Sequence, residues 1–257
     1  MVMRPRRDGI EYLLWRHDLH DGDVTTLYAV RYPRRSTHVG VVHFPQIQHL
    51  DVWCRANDVE EAIVGGFFLR DPYRPLGELW IDGRPVDHEP VAPPYAERRG
   101  CVVIDPDGSV RVAPRHAAPA GPPGHLLQAG PLLLVDGEVV FGADDDREGF
   151  SAGAAQFDSD ITDGRYPRAA LGLSKEWLVA AACDGRRSNV DGGLSMLELA
   201  DVLLELGARD AINLDGGGST TLVHRGHLLN RPYSRQDQPA PASRPVVSAL
   251  TFRPAGS

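Results

Sequence analysis

Cysteine is scarce in this chain: Cys54, Cys101 and Cys183 are the three in 257 residues, widely separated and set in apolar, strand-like surroundings. That number and spacing exclude a disulfide framework or a zinc site and mark all three as small core residues. Long apolar runs are also missing. Residues 1–9 carry positive charge, but residues 10–17 are too short and too polar a run for a secretory segment, and no other stretch is long enough to span a bilayer. Positive charge is in short supply: 27 Lys and Arg against 35 Asp and Glu give a formal net charge of −8. A general affinity for nucleic acid or for an anionic membrane is thereby excluded, although a local basic cluster still has room for one phosphate. For a chain that has lost no leader, the expected location is cytoplasmic. Ten histidines are scattered without a helical HxxxH pair, so they do not indicate a metal centre.

What the chain does have is apolar content of 42%, enough for a sizeable core, and 27 glycines and 21 prolines that punctuate short segments. Strand patterns occupy residues 12–15, 25–32 and 37–44, and residues 47–63 carry apolar side chains at helical spacing. Strand-and-turn texture resumes over residues 76–115. A Pro/Ala/Gly-rich loop follows at 114–124, and residues 128–135 read as one buried strand closed by Asp136-Gly137. Residues 142–163 read as a long acidic loop. Its Asp144-Asp145-Asp146 triplet is a place for a divalent cation, with a plain solvated loop as the simpler reading. Strands are expected at 169–173 and 177–183. A helix over 195–206 opens on a capping box, Ser195 with Glu198 three residues on, and is closed by Gly207. No internal repeat or domain boundary is evident. The expectation is a single α+β domain over residues 1–257, with mixed, largely antiparallel sheets and a few helices.

The most informative segment is Asn213-Leu214-Asp215-Gly216-Gly217-Gly218-Ser219-Thr220-Thr221. Three successive glycines forgo packing and cost backbone entropy, so they belong where a tight turn or an approaching ligand needs bare backbone. Consecutive amides there can face an anion. The run lies between a strand at 210–214 and another starting at Leu222, which fits a ligand-binding turn and equally a Gly-rich hairpin capped by aspartate. No Lys-Ser/Thr follows the glycines and the spacing is not GxGxxG, which excludes the two familiar nucleotide-binding loops.

Several ordered motifs carry a resemblance: Gly65-Gly66-Phe67-Phe68, Ala129-Gly130-Pro131-Leu132-Leu133, Tyr166-Pro167-Arg168-Ala169-Ala170-Leu171-Gly172, Cys183-Asp184-Gly185-Arg186, Gly193-Leu194-Ser195, the Asn213 to Thr221 run, Asn230-Arg231-Pro232 and Arg244-Pro245-Val246. In order and spacing, from about residue 60 to 250, the chain resembles the phosphodiester glycosidase family; residues 1–45 share only its β-rich texture. The resemblance implies hydrolysis of a sugar-1-phosphodiester between the anomeric carbon and the phosphate oxygen, with a small phosphosugar as substrate. It further implies Asp215 as nucleophile or base at the anomeric centre and Asp184 as the second carboxylate. Arg168 and Arg186 are implied as phosphate forks, helped by the amides of Gly216, Gly217 and Gly218, with Ser219, Asn213, Arg244, Gly65 and Gly66 as further substrate contacts. No cofactor is implied beyond a possible divalent cation. One departure stands out: Val64 occupies a position where the family usually has Asn, which puts a polar contact beside the glycine pair in doubt. The competing readings are a phosphosugar-binding module without turnover and a hydrolase of a nucleotide-sugar or biosynthetic intermediate.

Overall fold

The computed structural model describes residues 2–4 (backbone only), 9–142, 147–150, 164–187, 189–231 and 244–255. Antiparallel strands dominate, as the turn-punctuated sequence requires. One eight-stranded sheet runs Val2–Arg4, Glu11–Asp18, Val24–Pro33, Trp177–Cys183, Arg168–Leu173, Asp210–Asn213, Leu132–Val135 and Glu138–Val139 in spatial order. A five-stranded sheet runs His227–Leu228, Leu222–His224, Glu61–Val64, Val246–Pro254, Thr37–Gln48. A second five-stranded sheet runs Val110–Pro114, Gly100–Ile104, His125–Gln128, Leu79–Ile81, Arg84–Pro85. A two-stranded hairpin, Phe68–Arg70 with Tyr73–Pro75, stands apart.

The period-two rule explains the layering. Along the central strands of the large sheet, Val30, Tyr32, Ala169, Leu171, Leu178, Ala180 and Ala182 point into a core shared with both five-stranded sheets. Their alternates, Leu27, Ala29, Ala170, Val179, Ala181 and Cys183, point the other way against helix α2, Met196–Glu205. Both faces are therefore covered, which is why these strands read as continuous apolar runs. Helix α2 carries the expected capping box: Glu198 N donates to Ser195 Oγ (3.2 Å) and Ser195 N donates to Glu198 Oε2 (2.9 Å). Gly207 closes it at φ +83°. The three cysteines are buried and unpaired.

Two expectations need correction. The helical pattern over 47–63 yields only a short helix, α1, Leu50–Ala56, because Asp58 takes a left-handed turn (φ +54°) and the β-branched Ile63-Val64 pair joins a sheet as part of Glu61–Val64. Residues 128–135 form not one strand but the ends of two, His125–Gln128 and Leu132–Val135, which belong to different sheets. Gly130 at φ +111° makes the change of direction, a conformation open to glycine and invisible to a hydropathy pattern. The Asp144-Asp145-Asp146 triplet lies outside the described residues.

A polar cluster ties two sheets together through the core. Tyr32 donates to Glu61 Oε2 at 2.8 Å and His224 Nδ1 lies 2.9 Å from the same oxygen. Burial pushes the Glu61 carboxyl upward, and its hydrogen bonds to His224 and Tyr32 oppose that rise. Tyr32 is fully enclosed and stacks on Phe252, with ring centroids 4.3 Å apart. Replacing it with Phe keeps the packing and leaves Glu61 one donor short. Tyr32→Phe is expected to cost about 1–3 kcal/mol, whereas Ser195→Ala, which removes the helix cap, costs about 1 kcal/mol. Urea denaturation of the two variants checks both values, and equal losses would contradict this ranking.

Candidate active site

The register of the large sheet assembles the site. Arg168–Leu173 lies between Trp177–Cys183 and Asp210–Asn213 and runs antiparallel to both. Arg168 pairs with Cys183, and Leu214 N donates to Ala169 O at 2.8 Å. The start of the middle strand therefore meets the ends of its two neighbours, and Asp184 and Asp215 leave the sheet at the same end, one on each side of Arg168. Backbones two strands apart are separated by about 9–10 Å, and Pro167 and Arg168, at the start of the middle strand, fill that interval.

Asp184 is 3% exposed. Its Oδ1 accepts from the Arg231 amide at 2.6 Å and its Oδ2 from the Tyr28 hydroxyl at 3.1 Å. Burial, with repulsion from Asp191, pushes its carboxyl up to about 6 despite those donors. Asp215 is half-buried, with its amide donating to Gly65 O at 3.0 Å and its Oδ1 accepting from Gly216 N at 2.9 Å. Burial pushes it up to about 6 as well, against the nearby Ser219 hydroxyl and the positive charges of Arg244 and Arg70. Ser219 Oγ itself makes no full hydrogen bond among the described residues, so its influence on Asp215 comes from proximity. Two carboxyl groups held near pH 6 at one sheet end are what acid–base or nucleophilic chemistry requires.

The triple glycine forms a single 3-10 turn, Gly217–Ser219, and leads into Leu222–His224. Gly217 has φ +58° and donates to Pro167 O at 2.8 Å; a β-carbon there would lie 3.2 Å from Arg186 Nη2. A β-carbon on Gly218 would lie 3.0 Å from Arg244 Nη2, and Arg244 N donates to Gly218 O at 3.0 Å. Two guanidinium groups thus pack against the bare backbone of Gly217 and Gly218. Arg186, itself left-handed at φ +66°, also sits with its guanidinium carbon 5.4 Å from the centre of the Tyr166 ring. Gly65 and Gly66 close the other side through Ser248: Gly65 N donates to Ser248 O (2.9 Å) and Gly66 N to Ser248 Oγ (3.2 Å).

The candidate residues do not all sit at the surface of the site. Arg168 is 3% exposed; its Nε donates to Leu194 O at 3.0 Å and its Nη2 to Gly164 O at 3.3 Å. Asn213 is enclosed in its strand, where its side-chain amide donates to Gly130 O at 2.9 Å. Val64 is fully buried in the inter-sheet core, so this position does not present its side chain to a ligand. Sequence reasoning missed Tyr28, the Arg231 amide and Arg70. Arg231 stood within one of the motifs, whereas Tyr28 gave no local signal. Among the described residues, no group of three or more His, Cys, Asp and Glu side chains is placed to hold a metal ion.

The fold is similar to that of the catalytic domain of zebrafish N-acetylglucosamine-1-phosphodiester alpha-N-acetylglucosaminidase, solved in a form auto-inhibited by its pro-peptide. The TM-score is 0.69 at 22% identity, covering 95% of this chain and 82% of that one. A hypothetical protein from Synechocystis matches with a TM-score of 0.64 at 20% identity, over 95% of this chain and 62% of that one. No match was found among the curated proteins. The phosphodiester glycosidase family profile matches residues 57–253, a span that includes both carboxylates and the whole Gly-rich turn. The chain belongs to the phosphodiester glycosidase family.

Proposed function

We propose that the protein hydrolyses a sugar-1-phosphodiester at the bond between the anomeric carbon and the phosphate oxygen, releasing free sugar and a phosphomonoester. The observation that carries this reading is the delivery of Asp184 and Asp215 to one end of the sheet beside a glycine turn bracketed by Arg186 and Arg244. A phosphomonoester leaves far more readily than an alkoxide, so the demand for a strong general acid is modest. The larger tasks are stabilising positive charge at the anomeric carbon and holding the phosphate. Asp215, the more open carboxylate, acts at the anomeric carbon as nucleophile or as base toward water. Arg186 and Arg244 hold the phosphate oxygens, and Arg168, inside the sheet end, stiffens the segments carrying Leu194 and Gly164. The zebrafish relative is named for N-acetylglucosamine-1-phosphodiester, and that substrate heads the panel to be tried here, followed by other sugar-1-phosphodiesters and by nucleotide-sugars.

Asp215→Asn is expected to reduce turnover at least about a hundredfold while substrate binding persists. Release of free sugar and of phosphomonoester, measured separately, checks this; full activity in the variant would remove Asp215 from the mechanism.

The raised carboxyls also predict a pH dependence. Each titrates near 6 in the folded chain against an ordinary value of 3.8. The native state therefore holds more protons than the unfolded chain between about pH 4 and 6, and stability falls as pH rises through that window. Asp215→Asn removes one such penalty. It is expected to stabilise the protein by about 1–3 kcal/mol at pH 7 and by little at pH 4, which thermal melts at the two pH values compare. In the wild type, kcat/KM rises with pH to a plateau above about 6, as the acting carboxylate ionises.

A further inference from the structure

The strand Val24–Pro33 precedes the family-matched span, yet it grips Asp184 at three points. Asp184 N donates to Thr26 O at 3.2 Å, and Thr25 Oγ1 donates to Asp184 O at 2.9 Å while accepting from Gly193 N at 3.2 Å. The third point is the Tyr28 hydroxyl on Asp184 Oδ2 at 3.1 Å. Register explains the reach. Tyr28 pairs with Ala182, two residues before Asp184, and alanine's small side chain leaves the phenol space to lean toward the strand end. The Arg231 amide occupies the other oxygen, so the carboxylate is fixed from both sides by one side chain and one backbone group.

We propose that Tyr28 is a positioning residue that sets both the orientation and the protonation of Asp184, and that the strand Val24–Pro33 thereby completes the active site. The role in turnover rests on the hydrolase reading above; the contact with Asp184 does not. Among the described residues, the ionisable groups Tyr28, Arg231 and Asp191 act on Asp184 from the elements packed around it. Asp191 is itself held by Thr26, whose amide (2.9 Å) and hydroxyl (2.6 Å) both donate to its Oδ1. Asp191 and burial favour the protonated acid, while the Arg231 amide and the Tyr28 hydroxyl favour the carboxylate. Tyr28 is the one donor in this set that a side-chain substitution can remove without touching backbone. Phenylalanine would keep the ring in place and leave Oδ2 without the phenol.

The deciding experiment is a substrate-free NMR titration of carboxyl-13C aspartate in the full chain, with the Asp184 signal assigned through Asp184→Asn. Tyr28→Phe is expected to raise the Asp184 midpoint by about one pH unit. Incorporation of 3-fluorotyrosine, which makes the phenol a stronger donor with little change in shape, is expected to lower it, and remains available should Tyr28→Phe not fold. An unmoved midpoint in both would overturn the proposal, even if Tyr28→Phe lost activity, because such a loss would then be merely structural. Absence of turnover across the substrate panel would sink the hydrolase reading alone, since the titration needs no substrate.

Discussion

Everything at the site depends on taking two carboxyl groups out of water at one end of an antiparallel sheet. A buried carboxylate is destabilising unless donors reach it. Asp184 has two donors, Asp215 has the Gly216 amide and the charges of Arg244 and Arg70, and both nevertheless titrate near 6. The surroundings therefore stop short of full compensation. Such a shortfall weakens the fold at neutral pH and leaves each group close to its ionisation point, where a small change in environment moves a proton.

The scaffold tolerates that penalty because the sheet beneath is covered on both faces. Helix α2 shields one side and the shared core of the five-stranded sheets shields the other. Small residues along the central strands permit close approach: a β-carbon on Gly172 would lie 2.9 Å from the Ala208 β-carbon, beside the helix. Tyr32, Glu61 and His224 then join the large sheet to the sheet that carries Val64 and, at its end, Gly65. Since Gly65 O receives the Asp215 amide, this polar tie and the Gly-rich turn lie at opposite ends of one short strand.

Much of this was legible in the sequence wherever the governing interaction is local. The capping box at Ser195 and Glu198 and the Gly207 stop rest on contacts within a few residues, the central strands show as apolar runs of their own, and all are present. The Gly-rich turn was readable because three adjacent glycines have few other uses. Reading failed where a long-range pairing overrode a local pattern: residues 128–135, read as one strand, are split by the tertiary structure between two sheets at Gly130. Tyr28 is the sharper instance. Its neighbours describe an ordinary strand, and its partner Asp184 lies 156 positions away, so only the sheet register could bring the pair together.

Burial also divides the arginines into two groups. A guanidinium binds a transferred or leaving phosphate only if its donors can turn toward it, and Arg168 has two of its nitrogens directed at the backbone carbonyls of Leu194 and Gly164 inside the sheet end. To grip phosphate it would have to give up those carbonyls, leaving them buried without that donor. Arg186 and Arg244 pack instead against the bare backbone of Gly217 and Gly218, on segments that border the turn. In the proposed reaction the phosphate is assigned to these two side chains for their place beside the turn, because the Gly216 and Gly217 amides already donate to Asp215 Oδ1 and to Pro167 O. Arg168 contributes at one remove, by holding in register the strand that keeps Asp184 and Asp215 on either side of it.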